Sequence, residues 1–297
     1  MSSRRKLLLG IGGFYLFSII AVIVIFGAKR QDNPAFKPQN EFKLNNWVDL
    51  GVFSINKAVL YVIAAAILTV WTMTYISKRM QDRPNRVQTA VEVLYTTMRD
   101  NITRGNMDDR MAAKWFPFIG ALFLFIWFSN LIGYIPLPTN SEETFNLFGA
   151  DIPAFAIYAA TANVSVPLVL ALVVFVAYNV EGVRAKGVGG YLKSLVPKGV
   201  TGPMVGFIFV LEFVSNFMRL ISLSVRLFAN ILAGHLIILF MSGGLAVLLG
   251  LEVLGVFTLP AAIILFLFEV GLVATLQAFI FATLSAIYLG GAVAAEH

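Results

Sequence analysis

The chain has 297 residues, of which 59% are hydrophobic and 13% charged, and its net charge is +6. A soluble globular chain carries about 25% charged residues, so this composition, with a mean hydropathy of +0.83, excludes a soluble enzyme or a disordered tail and fits a polytopic membrane protein. The absence of cysteine excludes disulfides and thiolate chemistry, two histidines are too few for an ordinary zinc site, and charges scattered between apolar runs argue against nucleic-acid binding.

Uncharged apolar runs of about 20 residues place spans at residues 7–27, 59–76, 116–135 and 153–180, followed by two longer runs at 205–242 and 253–289. The first run follows Arg4, Arg5 and Lys6 and is longer than a typical signal core, so an uncleaved anchor is expected over a removed leader. With the N-terminus in the cytoplasm, the inner segments hold fifteen Lys and Arg residues and the outer ones five. The positive-inside rule favours that orientation, and six crossings return the C-terminus to the cytoplasm. Residues 87–98 place Val87, Val91, Leu94, Tyr95 and Met98 on one helical face and predict an amphipathic helix at the cytoplasmic membrane surface. "AKGVGGYLK" lacks the ending of a phosphate cradle and reads as a flexible loop around Gly187–Gly190.

The run 205–242 would measure roughly 57 Å as one helix against a hydrocarbon core of about 30 Å, which demands a tilt of about 58°. The expected fold is therefore all-α and polytopic, with about six membrane helices, the last two forming a long, steeply tilted hairpin that turns near Gly243 and Gly244. Two ordinary spans with frayed ends are the alternative.

The fifth run carries Glu212, Ser215, Arg219, Ser222, Arg226 and Asn230 at gaps of 3, 4, 3, 4 and 4. At 100° per residue all six lie within about 40° of Arg226. A charge at mid-membrane costs about 2.5–3.5 kcal/mol on insertion scales and faces a partner, a cavity or an ion path. A guanidinium keeps its charge, so Arg226 is suited to be a fixed cation that makes a passing carboxylic acid ionise. An internal salt bridge to Glu212 or Glu269 is the structural alternative. His235 falls on the opposite face, where it can relay protons or simply bond a backbone carbonyl. Glu269 could couple with His235, and Gln277 could hydrogen-bond Arg226 or serve only in helix packing. Asn130, Asn163 and Asn179 read as packing amides. Three functions fit these residues: a channel subunit working against a partner, a self-contained proton-coupled transporter, and a membrane scaffold. The scaffold leaves the stripe unexplained, and no internal repeat supports the transporter.

"SLSVRLFANILAGHLI" at 222–237 closely resembles the arginine helix of subunit a of F-type rotary ATP synthases, and "LQAFIFATLSAIYL" at 276–289 its last helix. "WFPFIGALFLFIWFSNLIGYIP", "TANVSVPLVLALVVF" and "INKAVLYVIAAAILT" are similar to its other spans, in family order. The resemblance implies a stationary proton-channel subunit with two aqueous half-channels, without a cofactor, metal or nucleotide site and not an enzyme on its own. Its implied partners are a c-subunit ring, peripheral-stalk b subunits, other ATP synthase subunits and membrane lipids, in a bacterial plasma membrane. Arg226 matches the family's essential arginine, Asn230 its companion and Gln277 the last helix's glutamine, while Glu212, Ser215, Arg219 and Ser222 match polar positions on the proton route. His235 and Glu269 match a histidine–acid pair, but Glu269 lies eight residues before Gln277 where the resemblance implies seven. The family-like region is 55–297, and 1–54 is expected to be an additional anchor, or a leader, and an outer loop.

Overall fold

Apolar periodicity makes helices of five of the six expected spans in a computed structural model that describes residues 44, 48–49, 54–79, 86–138, 144–147, 150–153, 155–196, 200, 202–244 and 254–294. The expected anchor at 7–27 lies outside the described residues. Helix α1 is Lys57–Arg79, and its first turn is capped by Asn56, whose side-chain oxygen accepts from the Val59 N–H at 3.2 Å. Helix α2, Arg86–Thr96, runs into a π-helical segment, Thr97–Arg104. Asp108 then caps helix α3, Asp109–Gly133, accepting from the Met111 N–H at 3.3 Å. Helix α4 is Ser165–Ser194, helix α5 Met204–Leu239, helix α6 Leu254–Phe268 and helix α7 Ala274–Val293. A π turn, Glu269–Val273, joins α6 to α7, so that Pro260–Val293 is one apolar element of 34 residues. Among the described residues, five helices are long and apolar enough to cross a membrane.

Helix α5 has 36 residues and continues into a π turn at Phe240–Gly244. At 1.5 Å per residue it extends about 54 Å, well beyond a hydrocarbon core of about 30 Å. It packs against α6, the π turn and α7.

Among the described residues, three small antiparallel ladders occupy the connections: β1 (Val48–Asp49) with β2 (Ser54–Ile55), β3 (Leu137–Pro138) with β6 (Phe155–Ala156), and β4 (Thr144–Leu147) with β5 (Ala150–Pro153). In the last pair Thr144 faces Pro153 and Leu147 faces Ala150. The membrane part is all-α, as expected, but the fourth span starts at Ser165 rather than at 153. Residues 155–164 are apolar without being long helix: they pass through β6 and a 3-10 turn, Ala160–Ala162, with Tyr158, Ala159 and Ala160 buried. Hydropathy cannot separate such a buried segment from a span.

The core lies where α3, α4, α5 and α7 meet, around Ile119, Phe123, Ile126, Val174, Leu227 and Phe281. Ala274, Ala278, Ala282 and Ala286 recur every fourth residue along α7, all fully buried. Small side chains at that spacing let neighbouring helix backbones approach closely. Ile63, Ile67 and Val70 of α1 and Ile263, Ile264 and Leu267 of α6 face outward, as a lipid-facing surface requires. Tyr95 and Leu94 of α2 and Met98 of the π-helical segment turn toward the protein itself: Tyr95 meets Phe116 edge-on at 5.1 Å, and Leu94 and Met98 pack into the core.

Residues 187–190 are not the loop expected from their glycines. They continue α4 after a break at Gly187, whose φ of 73° and ψ of 162° suit glycine alone. The short piece beyond the break brings Tyr191 back against Gly182, and its hydroxyl donates to Asn179 Oδ1 at 2.8 Å.

Candidate functional site

Helix α5 has two faces. Leu223, Leu227, Ile231 and Ile238 enter the core, whereas Ser215, Arg219, Ser222, Arg226 and Asn230 are exposed and Glu212 is half-buried. Met218, Ile221 and Val225 alternate with these polar residues and are exposed as well. The polar stripe therefore points away from the chain's own core. Arg226 donates to Ser222 Oγ at 3.5 Å, one turn back. Among the described residues no carboxylate lies within ion-pair distance of its guanidinium. Neither alternative salt bridge, to Glu212 or to Glu269, is formed. The expected hydrogen bond from Gln277 is also not made: Gln277 is buried on α7, while Arg226 faces outward. Arg219, two turns before Arg226, lies over the Tyr288 ring at 5.6 Å.

His235 occupies the inward face, as its position nine residues after Arg226 implies. It is 3% exposed, with Nδ1 3.0 Å from the Ile231 carbonyl oxygen and Nε2 3.3 Å from that of Gly133. A neutral imidazole has one N–H and donates to only one of them at a time. Glu269 does not touch the imidazole as an ion pair within 4.0 Å. Tyr134, just beyond α3, stands between them. Its hydroxyl donates to Glu269 Oε2 at 3.1 Å, and its ring lies 4.7 Å from the His235 ring. Gly234 makes room for the acid, since a Cβ built there would collide with the Glu269 carboxyl group.

The π turn accounts for the eight-residue separation of Glu269 and Gln277. In an α-helix, residues seven apart lie about 20° from alignment and residues eight apart about 80°. One i→i+5 turn takes up a single extra residue, and the Ala274 N–H does bond the Glu269 carbonyl five residues back. Both side chains are consequently buried, at 8% and 6% exposure. Polar contacts from α3 hold the next turn. Asn130 Nδ2 donates to the Ala274 carbonyl at 3.2 Å, Thr161 Oγ1 donates to Asn130 Oδ1 at 2.7 Å, and Trp127 Nε1 donates to Thr275 Oγ1 at 3.0 Å.

A second polar cluster lies toward the other end of α5. Tyr178 donates to Asn216 Oδ1 at 2.6 Å, and Asn216 Nδ2 donates to Asn179 Oδ1 at 3.1 Å, which also accepts from Tyr191. Tyr288 joins through its ring, 5.8 Å from Tyr178. Nearby, Lys114 pairs with the buried Glu181. Among the described residues no group of three His, Cys, Asp or Glu side chains is placed to hold a metal ion.

Sequence reasoning missed Tyr134, Tyr178, Asn216 and Tyr191. Tyrosine at a span end reads as an interfacial anchor, which hides Tyr134. A buried phenol needs a hydrogen-bond partner, so the tyrosines were the available signal, but their partners are set by tertiary packing.

A family model described as ATP synthase A chain matches residues 58–290. The chain is similar to the ATP synthase subunit a of Rubrobacter xylanophilus, with 36% identity over 245 residues, 82% of this chain and 86% of that protein. It is 32% identical over 268 residues to that of Pelagibacter ubique, covering 89% of this chain and all of the relative. The Frankia alni protein is 32% identical over 269 residues, 86% of this chain and 85% of its own length.

Proposed function

Because this chain belongs to the ATP synthase subunit a family, and is thus the proton-channel subunit of that complex's membrane sector, we propose a residue-level route for the proton. Arg226 is a fixed cation presented to a neighbouring rotor of c subunits, with Asn230, Ser222, Arg219, Ser215 and Glu212 along the same contact. The observation that carries this role is the outward-facing stripe whose guanidinium has no carboxylate partner among the described residues. An unpaired charge at hydrocarbon depth is costly, and a ring of membrane carboxylates would compensate it.

The clusters on either side of Arg226 are the two half-channels. Protons enter from outside through Glu269 and His235 and protonate a rotor carboxylate. The rotor turns, and the carboxylate releases its proton to the cytoplasm beside Glu212 and Asn216. Arg226 favours the ionised carboxylate as it passes and keeps the two aqueous paths apart. Each charge crossing contributes about 2.3 kcal/mol per 100 mV, so several protons are needed per ATP. The chain moves protons, and ATP chemistry takes place in other subunits. Gln277, buried one face away from Arg226, packs α7 beneath the route.

Residues 55–297 form this unit, and 1–54 add an anchor and an outer loop. Both termini lie in the cytoplasm of a bacterial plasma membrane, and b subunits and lipids cover the apolar faces away from the rotor. In the assembled complex, Arg226→Ala abolishes ATP synthesis driven by an imposed proton gradient while assembly persists. Wild-type synthesis by that variant would remove the proposal.

A further inference from the structure

We propose that Tyr134 is a positioning residue of the proton entry route, joining Glu269 to His235 as one polar unit. The inference rests on the assignment of Glu269 and His235 to proton entry and adds a residue to it.

Three observations on one side chain support it. Tyr134 is 2% exposed, so its hydroxyl must find its partner within the protein. That partner is Glu269 Oε2, at 3.1 Å. The ring meanwhile lies 4.7 Å from the His235 imidazole on one side and meets Phe266 edge-on at 5.9 Å on another. The backbone beside it is tied in too, because the preceding residue, Gly133, offers its carbonyl to His235 Nε2. A single residue at the end of α3 thus fixes the acid on the last membrane helix and the imidazole on α5, which do not pair with each other directly.

The chemistry suits that place. A phenol hydroxyl both donates and accepts. Donating to Glu269, it orients the carboxyl group and leaves its own oxygen available to a neighbouring donor. Phenylalanine would keep the ring against His235 and lose only the hydrogen bond.

The test measures passive proton flux through the membrane sector in vesicles of the assembled complex stripped of its soluble sector. Flux is normalised to the amount of complex, so any loss of assembly is accounted for separately. Tyr134→Phe is expected to be roughly tenfold slower than wild type, about the upper end of what one hydrogen bond contributes. Added to Glu269→Gln, it is expected to slow flux no further, because the partner through which it acts has already been altered. A merely structural role would produce the same fold-loss in both backgrounds. Wild-type flux in Tyr134→Phe, or equal losses in the two backgrounds, would overturn the role of Tyr134 while leaving Glu269 in place. Wild-type flux in Glu269→Gln alone would overturn the assignment of Glu269 to proton entry, and the role of Tyr134 with it.

Discussion

The π turn at Glu269–Val273 makes a register prediction that single substitutions cannot test. Deleting Gly271, which is exposed and where an added Cβ would meet nothing within 4 Å, removes the surplus residue. The turn is expected to become ordinary α-helix, with Glu269 seven residues from Gln277 and still directed inward. Inserting one alanine between Gly271 and Leu272 instead rotates Glu269 by about 100° about the helix axis. With side chains reaching 5–6 Å from that axis, the carboxyl group moves by about 8 Å. The hydrogen bond to Tyr134, now 3.1 Å long, cannot survive that shift. Passive proton flux in vesicles of assembled complex is the assay, with native gels to measure assembly. The deletion variant should stay within about threefold of wild type, and the insertion variant should lose roughly tenfold, about the upper end of what one hydrogen bond contributes. Assembled complex that conducts normally with the insertion, or not at all with the deletion, would refute the register argument.

Gly234→Ala should reduce proton flux per assembled complex several-fold. The gain in helix propensity of about 1 kcal/mol is offset by overpacking of about 1–3 kcal/mol against the Glu269 carboxyl group. Asn216→Ala leaves the Tyr178 hydroxyl and the Asn179 amide without their partner on α5. Thermal unfolding of the purified complex should register a loss of about 1–3 kcal/mol. Gly187→Ala forces a side chain onto the observed φ of 73° and should cost about 1–3 kcal/mol by the same measurement, without a steric clash.

Much of the architecture was legible because membrane spans and amphipathic stripes follow simple periods. The polar stripe of α5 needed only the 3.6-residue repeat, and its outward direction agrees with the cost of burying charge without a partner. Residues 155–164 misled the reading because hydropathy reports burial and not backbone shape. The glycines at 187–190 signalled a loop, yet a single break at Gly187 satisfies the chain and lets Tyr191 fold back on Asn179. The π turn was visible only as an unexplained eighth residue between Glu269 and Gln277. Tyr134 and Asn216 act through partners more than 35 residues away in sequence, and no local pattern announces such contacts.

The proposed orientation of α5 toward a rotor of c subunits is open to direct measurement, since the chain contains no cysteine of its own. Single cysteines replacing Ser222, Asn230 or the inward-facing Ile231 can be oxidised against a cysteine placed beside the rotor's membrane carboxylate. Disulfides at 222 and 230 with none at 231 are the expected result; crosslinking confined to 231 would contradict it.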